Sequence, residues 1–349
     1  MTVRDFDDVA EIDESRIPAK LVSADSHVDE PDHVWKPIPG ELRAEVPPPR
    51  ALNKRPAGAS DPKARLVDMD TDGVMAEVLY PSVALGYFGL SQKFQEAAFP
   101  LYNDWLAEYC QYAPKRLFGI PCLAAYDIAG AIKEMHRFHD MGLIGALIWQ
   151  VPDPKLPLTS AHYDKLWAAA AELGAPINLH ILTGHNYSRD RGARGIEHTR
   201  GSVIHKTNDA ANTLHDFVWS GIFDRHPKLK IELVEAEIGW IPFIVQQWDW
   251  YFRRFSKPGP QHDDFAISRL PSEIFRDHVY CTFMDDLVGS RLLASWGEGN
   301  CMWSSDYPHG NTTWPHSKAF IAKQLGSLPM STQRSLLSQN VIDLYRLQL

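Results

Sequence analysis

Short runs of β-branched and other apolar residues recur along the chain, separated by longer segments whose apolar positions return every three or four residues. The runs fall at residues 21–25, 74–80, 117–122, 143–149, 176–180, 229–235, 278–283 and 300–305. Each has the length and the near-continuous apolar character of a strand buried on both faces. Segments 91–113, 128–140, 160–173, 205–223, 240–255 and 286–297 carry the helical period, and a last helix is expected over 331–346, led in by Pro329 and Ser331. Such alternation predicts an α/β fold of parallel strands with helical crossovers. Eight strands match a closed (β/α)8 TIM-like barrel, although a doubly wound open sheet satisfies the same pattern.

Three stretches depart from the alternation. Residues 1–20 read as a polar arm, and residues 32–63, rich in Pro, Ala and charge, as an irregular N-terminal excursion. Asp68, Asp70 and Asp72 lack the downstream ligands of a calcium loop and are expected at the helix-to-strand entry before the second strand. From Ile181 the sequence ILTGHNYSRDRGARGIEHTRG has little apolar periodicity and predicts a lid or substrate-binding loop at the barrel mouth. The 240–255 segment holds Trp240, Trp248, Trp250, Tyr251, Phe252 and Phe255, more than one buried helix face takes. Part of it is expected to form a subunit interface or an active-site wall, which predicts a homo-oligomer and leaves a hetero-oligomer open.

A length of 349 residues suits one barrel domain spanning 1–349. Net charge −9, without a basic stripe, argues against nucleic acid or anionic membrane as partner. The longest apolar stretch, 142–151, is far below the roughly 20 residues of a spanning helix. The acidic start lacks the apolar core of a signal peptide, so a cytoplasmic location is expected. Cys110, Cys122, Cys281 and Cys301 have no paired spacing and read as reduced core residues.

The chemistry sits at the ends of the apolar runs. Asp25 and His27 are two apart on the first strand and point to one side. His180 ends the fifth run, Glu235 the sixth, and Asp306 follows the eighth. Alone, each has a plain structural explanation: a turn aspartate, a satisfied core histidine, a helix cap. Together they are carboxylates and imidazoles at the carboxyl ends of different strands, where a barrel keeps its active site and where a divalent cation finds its ligands. Glu237 is an alternative acid to Glu235, Glu30 a supporting one. His309, three residues beyond Asp306, is a candidate acid, and His185, Arg189 and Arg191 are candidates for binding a substrate carboxylate. His136 and His139 fall on an outer helix and are expected to be solvated.

The ordered set SADSHVDEP, INLHILTG, FDRHPKLKIELVEAEIGW, MWSSDYPHGNTTWP and NVIDLYRL resembles the amidohydrolase-related family over residues 20–347. That branch of the amidohydrolase superfamily includes non-oxidative aromatic acid decarboxylases. The resemblance implies a (β/α)8 barrel with one or two divalent ions, Mn, Fe or Zn. It aligns Asp25 and His27 with the first-strand ligand pair, His180 with the strand-five histidine, and Asp306 with the strand-eight aspartate that is ligand and often proton acceptor. One departure stands out: Glu235 takes a position that is usually His in the family's decarboxylases. With Asp25, it makes the ligand set (Asp25, His27, His180, Glu235, Asp306) rich in carboxylate, which favours harder ions and allows bridging. Glu235 is otherwise a residue that fixes a ligand histidine.

Three reactions fit: hydrolysis of an amide or ester through activated water with Asp306 as base, decarboxylation of a small organic acid, and O₂ activation at a dinuclear Fe or Fe/Mn centre. A non-catalytic partner subunit is the fourth class, and the intact ligand set speaks against it. Asp306, Glu235 and His309 are the expected catalytic residues, with His185 and Arg189 binding a small-molecule substrate.

Overall fold

The computed structural model describes residues 15, 17–46, 55–185, 200–257, 264–293 and 295–349. Eight strands appear among them: β1 (Leu21–Val28), β2 (Val74–Pro81), β3 (Leu117–Gly119), β4 (Ala146–Ile148), β5 (Ile177–His180), β6 (Ile231–Val234), β7 (Val279–Phe283) and β8 (Cys301–Trp303). Every pairing is parallel, in the orders β1-β2-β3 and β4-β5-β6-β7-β8. Backbone hydrogen bonds join the two sheets at both seams. Leu123 N–H donates to Leu147 O at 2.9 Å and Leu147 N–H to Pro121 O at 2.8 Å, while Asp306 N–H donates to Asp25 O at 3.0 Å. The sheet therefore closes into a barrel and the open-sheet alternative falls away.

Strands three and four are shorter than the periodicity suggests. Pro121 has no N–H to extend β3, and β4 starts only after Gly142 and Gly145, both at positive φ. Gly145 is held to glycine by space as well: a Cβ there would lie 2.6 Å from Asn178 Nδ2 and 2.9 Å from the Tyr345 ring.

The helices Gln92–Gln111, Ile128–Asp140, Asp164–Leu173 and Ile241–Phe255 follow the periodicity within a few residues. The 205–223 segment is divided: a π turn over Arg200–His205, a helix Lys206–Trp219, then a break at Gly221 (φ 71°) before Ile222–Arg225. The expected 286–297 helix ends at Leu292, and 331–346 carries a π turn at Ser335–Gln339. Helices Pro271–His278 and Ser317–Leu325 lack a clear sequence signal. The polar arm lies almost wholly outside the described residues.

Within the excursion, short 3-10 turns at Asp32–Trp35, Gly40–Glu45 and Ala57–Ala59 precede the helix Pro62–Asp72. Asp61 caps that helix by accepting from Lys63 N–H at 2.8 Å, and Gly73 (φ 75°) ends it and turns the chain into β2. Its buried face is Arg65, Met69 and Asp72, at helical spacing. Asp70 makes a surface ion pair with Arg116, while Asp72 accepts from Ser317 N–H at 2.9 Å.

The floor of the barrel is polar. The Tyr345 hydroxyl, from the C-terminal helix, is hydrogen-bonded to Glu232 and Asn178, and Tyr80 donates to Asn178 Oδ1 at 2.7 Å. Asn178 and Glu232 are register partners on β5 and β6, Tyr80 reaches them from β2, where it pairs with His27, and Tyr345 from the helix Asn340–Tyr345. On the outside, Phe243, Trp250 and Tyr251 of the aromatic-rich helix are exposed. A groove of about 1240 Å³ lies beside Phe243, Trp250 and Leu292, on the outer helices. His136 and His139 are exposed, and the four cysteines are buried and free. Among the described residues, no helix is long and apolar enough to cross a membrane.

Candidate metal centre

Because all eight strands run the same way, their carboxyl ends meet at one mouth, and the residues that follow them are brought together. Asp25, His27 and His180 are fully buried there, with Asp306 and Glu235 beside them. His27 donates from Nδ1 to Pro81 O at 2.8 Å, and His180 from Nδ1 to Ile181 O at 2.7 Å. A carbonyl can only accept, so these bonds fix the tautomers and turn both Nε2 atoms inward. From His27 Nε2 the distances are 3.2 Å to His180 Nε2, 3.4 Å to Asp25 Oδ1 and 3.4 Å to Asp306 Oδ1. From His180 Nε2 they are 3.8 Å to Asp25 Oδ1 and 3.7 Å to Glu235 Oε2.

Donors about 2.1 Å from one cation lie roughly 3.0–3.4 Å from each other, so this spacing suits an ion at the centre of the cluster. The carboxylates say the same. Both oxygens of Asp25 and Oδ2 of Asp306 are buried without a hydrogen-bond partner, an arrangement that a cation relieves. Two overlapping donor groups result, Asp25–His27–His180–Glu235 and His27–Glu235–Asp306–His309, each with atoms within 4.8 Å of one another.

The backbone is bent to reach this geometry. Leu182, Glu235, Glu237 and Asp306 have φ of 69°, 56°, 53° and 50°, directly after β5, β6 and β8. Left-handed backbone at such residues costs on the order of 1–3 kcal/mol each. Glu235 N–H donates to Thr282 Oγ1 at 2.7 Å, which anchors one of these turns.

Electrostatics divide the acids. Burial pushes Asp25 up, but the His180 and His27 imidazoles outweigh it and hold the carboxyl well below its usual range. Asp306 is driven far above its usual value by burial, with Glu235 and Asp25 adding to it. Glu235 is held below its ordinary value: burial opposes, and Lys206, His180 and His309 prevail. Burial lowers His309 to about 4, so it is a neutral imidazole. Its Nδ1 lies 2.7 Å from Asp306 Oδ1, and its ring lies over His27 at 3.9 Å between centroids.

The remaining sequence candidates separate. His185 is half-buried at the β4–β5 end, its Nε2 3.0 Å from the Tyr126 hydroxyl and its ring edge-on to Trp149, apart from the two donor groups. Arg189 and Arg191 lie outside the described residues. Glu237 is a correction: its carboxylate turns to Met284 N–H and toward Asp286 and joins neither donor group. The φ of 56° at Glu235 breaks the strand alternation, so Glu235 and Glu237 do not share a face. Glu30 accepts from the amides of Ser82, Val83 and Ala84 at 2.8–3.1 Å, steadying the turn after Pro81, whose carbonyl holds His27.

Three cations of the site were not legible. Lys206 Nζ lies 3.0 Å from Glu235 Oε1. Arg55 pairs with Asp29 and donates to Ser82 Oγ, and its charge acts on His309. Arg65, fully buried, donates from Nη1 to His27 O at 2.7 Å and from Nε to Glu77 at 2.6 Å. Only Arg65 had a signal, its place in the i, i+4, i+7 stripe with Met69 and Asp72.

A parallel eight-stranded barrel with imidazoles and carboxylates gathered at its carboxyl end defines a (β/α)8 protein built to hold a divalent cation. The chain belongs to the amidohydrolase family, whose family model matches residues 25–347. It is 25% identical over 228 residues to the γ-resorcylate decarboxylase of Rhizobium sp. (strain MTP-10005), covering 60% of this chain and 65% of that protein. Among solved structures, 5-carboxyvanillate decarboxylase from Sphingomonas paucimobilis is similar with a TM-score of 0.74 at 22% identity, over 95% of this chain and 100% of the other. A dihydroxybenzoic acid decarboxylase from Polaromonas sp. JS666, with bound manganese and the inhibitor 2-nitroresorcinol, matches with a TM-score of 0.70 at 18% identity, over 94% and 97%. At these identities the structural likeness establishes the barrel fold.

Proposed function

We propose that this chain is a divalent-metal-dependent, non-oxidative decarboxylase of a small hydroxylated aromatic acid. The observation that carries it is the buried donor group Asp25–His27–His180–Glu235, whose ligand atoms lie within 4.8 Å of one another with both Asp25 oxygens unpartnered, and Asp306 Oδ1 beside it at 3.4 Å from His27 Nε2. The names of the relatives, decarboxylases of resorcylate and carboxyvanillate, support the reaction class. Asp25, His27, His180 and Glu235 would hold the ion, manganese being the one bound in a structural relative. When bound, it supplies Lewis acidity to the substrate's carboxylate and neighbouring hydroxyl oxygens.

The protein's own part is proton handling. His309 donates Nδ1–H to Asp306 Oδ1 and leaves Oδ2 to carry a proton. Delivered to the ring carbon that bears the carboxylate, that proton allows the carbon–carbon bond to break toward the ring, so CO₂ leaves and a phenol remains. Glu235, held as a carboxylate by Lys206, keeps the His180 side of the cluster negative. His185 and Arg189 are assigned to the rest of the substrate. We assign this activity to one barrel domain over 1–349, in the cytoplasm, with copies of the chain associating through the exposed aromatic helix.

The test is anaerobic turnover of manganese-loaded protein on dihydroxybenzoates and carboxyvanillate, following CO₂ and phenol. Equal yields of both are expected without oxygen. A strict need for O₂ would favour the oxygenase reading, and cleavage of amides or esters without CO₂ the hydrolytic one.

A further inference from the structure

Glu235 divides its carboxylate between two directions. Oε2 faces the imidazoles, 3.7 Å from His180 Nε2, and Oε1 lies 3.0 Å from Lys206 Nζ. In a carboxylate-bridged dinuclear centre each oxygen meets its own ion. Here the outer oxygen already has a cationic partner. We infer that Lys206 takes, in position and in charge, the place of a second metal ion and holds this carboxylate-rich centre to one divalent cation.

The charge count agrees. Once Asp306 has given up its proton, Asp25, Glu235 and Asp306 bring three negative charges, and the imidazoles would be neutral as ligands because the ion would take the Nε2 lone pairs opposite their Nδ1–H bonds. One divalent ion and one ammonium balance them. Without the ammonium the centre is left with a net negative charge beside a second ready group of donors, His27, Glu235, Asp306 and His309. Both partners of the pair are also positioned by backbone. Glu235 is fixed by its left-handed turn and its bond to Thr282. Lys206 opens the helix Lys206–Trp219 directly after the π turn, a distortion frequent at functional sites. With side chains 23% and 6% exposed, the pair is far from a solvated surface bridge.

The inference rests on the metal centre proposed above and is independent of the reaction carried out there. Full-length protein stripped with a chelator is titrated with Mn²⁺, bound ions are counted by elemental analysis, and the electron paramagnetic resonance spectrum is recorded. The wild type should saturate at one ion per chain, Lys206→Gln at two with a spin-coupled pair signal, and Lys206→Arg at one. Two ions in the wild type, one in Lys206→Gln, or two in Lys206→Arg would each overturn the role of Lys206. A wild type that binds no ion removes the centre and this inference with it. A one-ion protein that fails to decarboxylate overturns only the proposed reaction.

Discussion

The Nε2 atoms of His27 and His180 face one another at 3.2 Å, with each ring tethered on its far side to a backbone carbonyl. In neutral imidazoles this opposes two buried lone pairs, with the Asp25 carboxylate beside them. A cation between them turns repulsion into ligation. Chelation should therefore lower the melting temperature and added Mn²⁺ restore it. Stabilisation of about 2.7 kcal/mol is expected at a hundredfold excess over Kd. His180→Ala should lose the metal-dependent increment. A melting curve indifferent to both chelator and metal would refute the centre.

Asp306 Oδ1 is engaged by His309 while Oδ2 is buried and unpartnered, which makes Asp306 the residue placed to exchange a proton with substrate. Asp306→Asn should reduce kcat by about 10²–10⁴-fold, the usual range for loss of a general acid or base. His309→Asn should cost less, because it removes the residue that orients the acid and leaves the acid itself. Single-turnover rates at measured metal content distinguish proton transfer from loss of the ion. Equal activity in the wild type and Asp306→Asn would remove Asp306 from the reaction.

The strand ends are legible because a buried parallel strand is a largely apolar run, and an ionisable residue closing it stands out. Asp25, His180 and Asp306 stand out in this way, and the barrel gathers them at one mouth. In the sixth strand, simple alternation would put Glu237 on the face of Glu235, whereas the left-handed turn at Glu235 rotates it away, and no local sequence preference marks such a turn. Lys206 and Arg55 are not legible in the sequence for a different reason. A lysine or arginine in a polar segment looks alike whether it faces solvent or a carboxylate, and only the tertiary fold brings them to Glu235 and His309. Tyr345 likewise reads as an ordinary aromatic of a terminal helix, and its hydroxyl gains meaning only against Glu232.

The ion pair of Arg65 and Glu77 carries the strand that bears two of the ligands. Arg65 is fully buried, bonded to Glu77 at 2.6 Å and to the carbonyl of His27 at 2.7 Å, with its guanidinium over the Tyr307 ring at 4.3 Å. Removing one partner strands the other charge, so Arg65→Met or Glu77→Gln should each cost about 3–5 kcal/mol of stability in denaturant unfolding. Metal affinity should fall as well, since His27 loses its backbone support. A change below 1 kcal/mol would show that the pair is not needed to carry β1.

Glu232 lies on the barrel floor with Oε2 on the Tyr345 hydroxyl and Oε1 unpartnered. Burial raises its carboxyl to about 8; Tyr345 opposes this and Asp25 adds to it. In the unfolded chain a glutamate titrates near 4.3. The folded state thus holds a proton that the unfolded state has released, and the corresponding stability is fully present below the unfolded value and lost as pH rises through 8. The slope from this one group is about −1.4 kcal/mol per pH unit between the two values. Glu237, raised to about 8 by burial and Asp286, and Glu30, raised to about 7 by burial, act in the same direction. Between about pH 7 and 8, above the range in which the lowered histidines His27, His185, His278 and His309 raise stability with pH, wild-type protein should grow less stable to urea, and Glu232→Gln, which cannot ionise, should have a shallower slope by one group's share. An unchanged slope in the variant would mean that Glu232 is already ionised inside the barrel, with its charge met by a partner other than Tyr345.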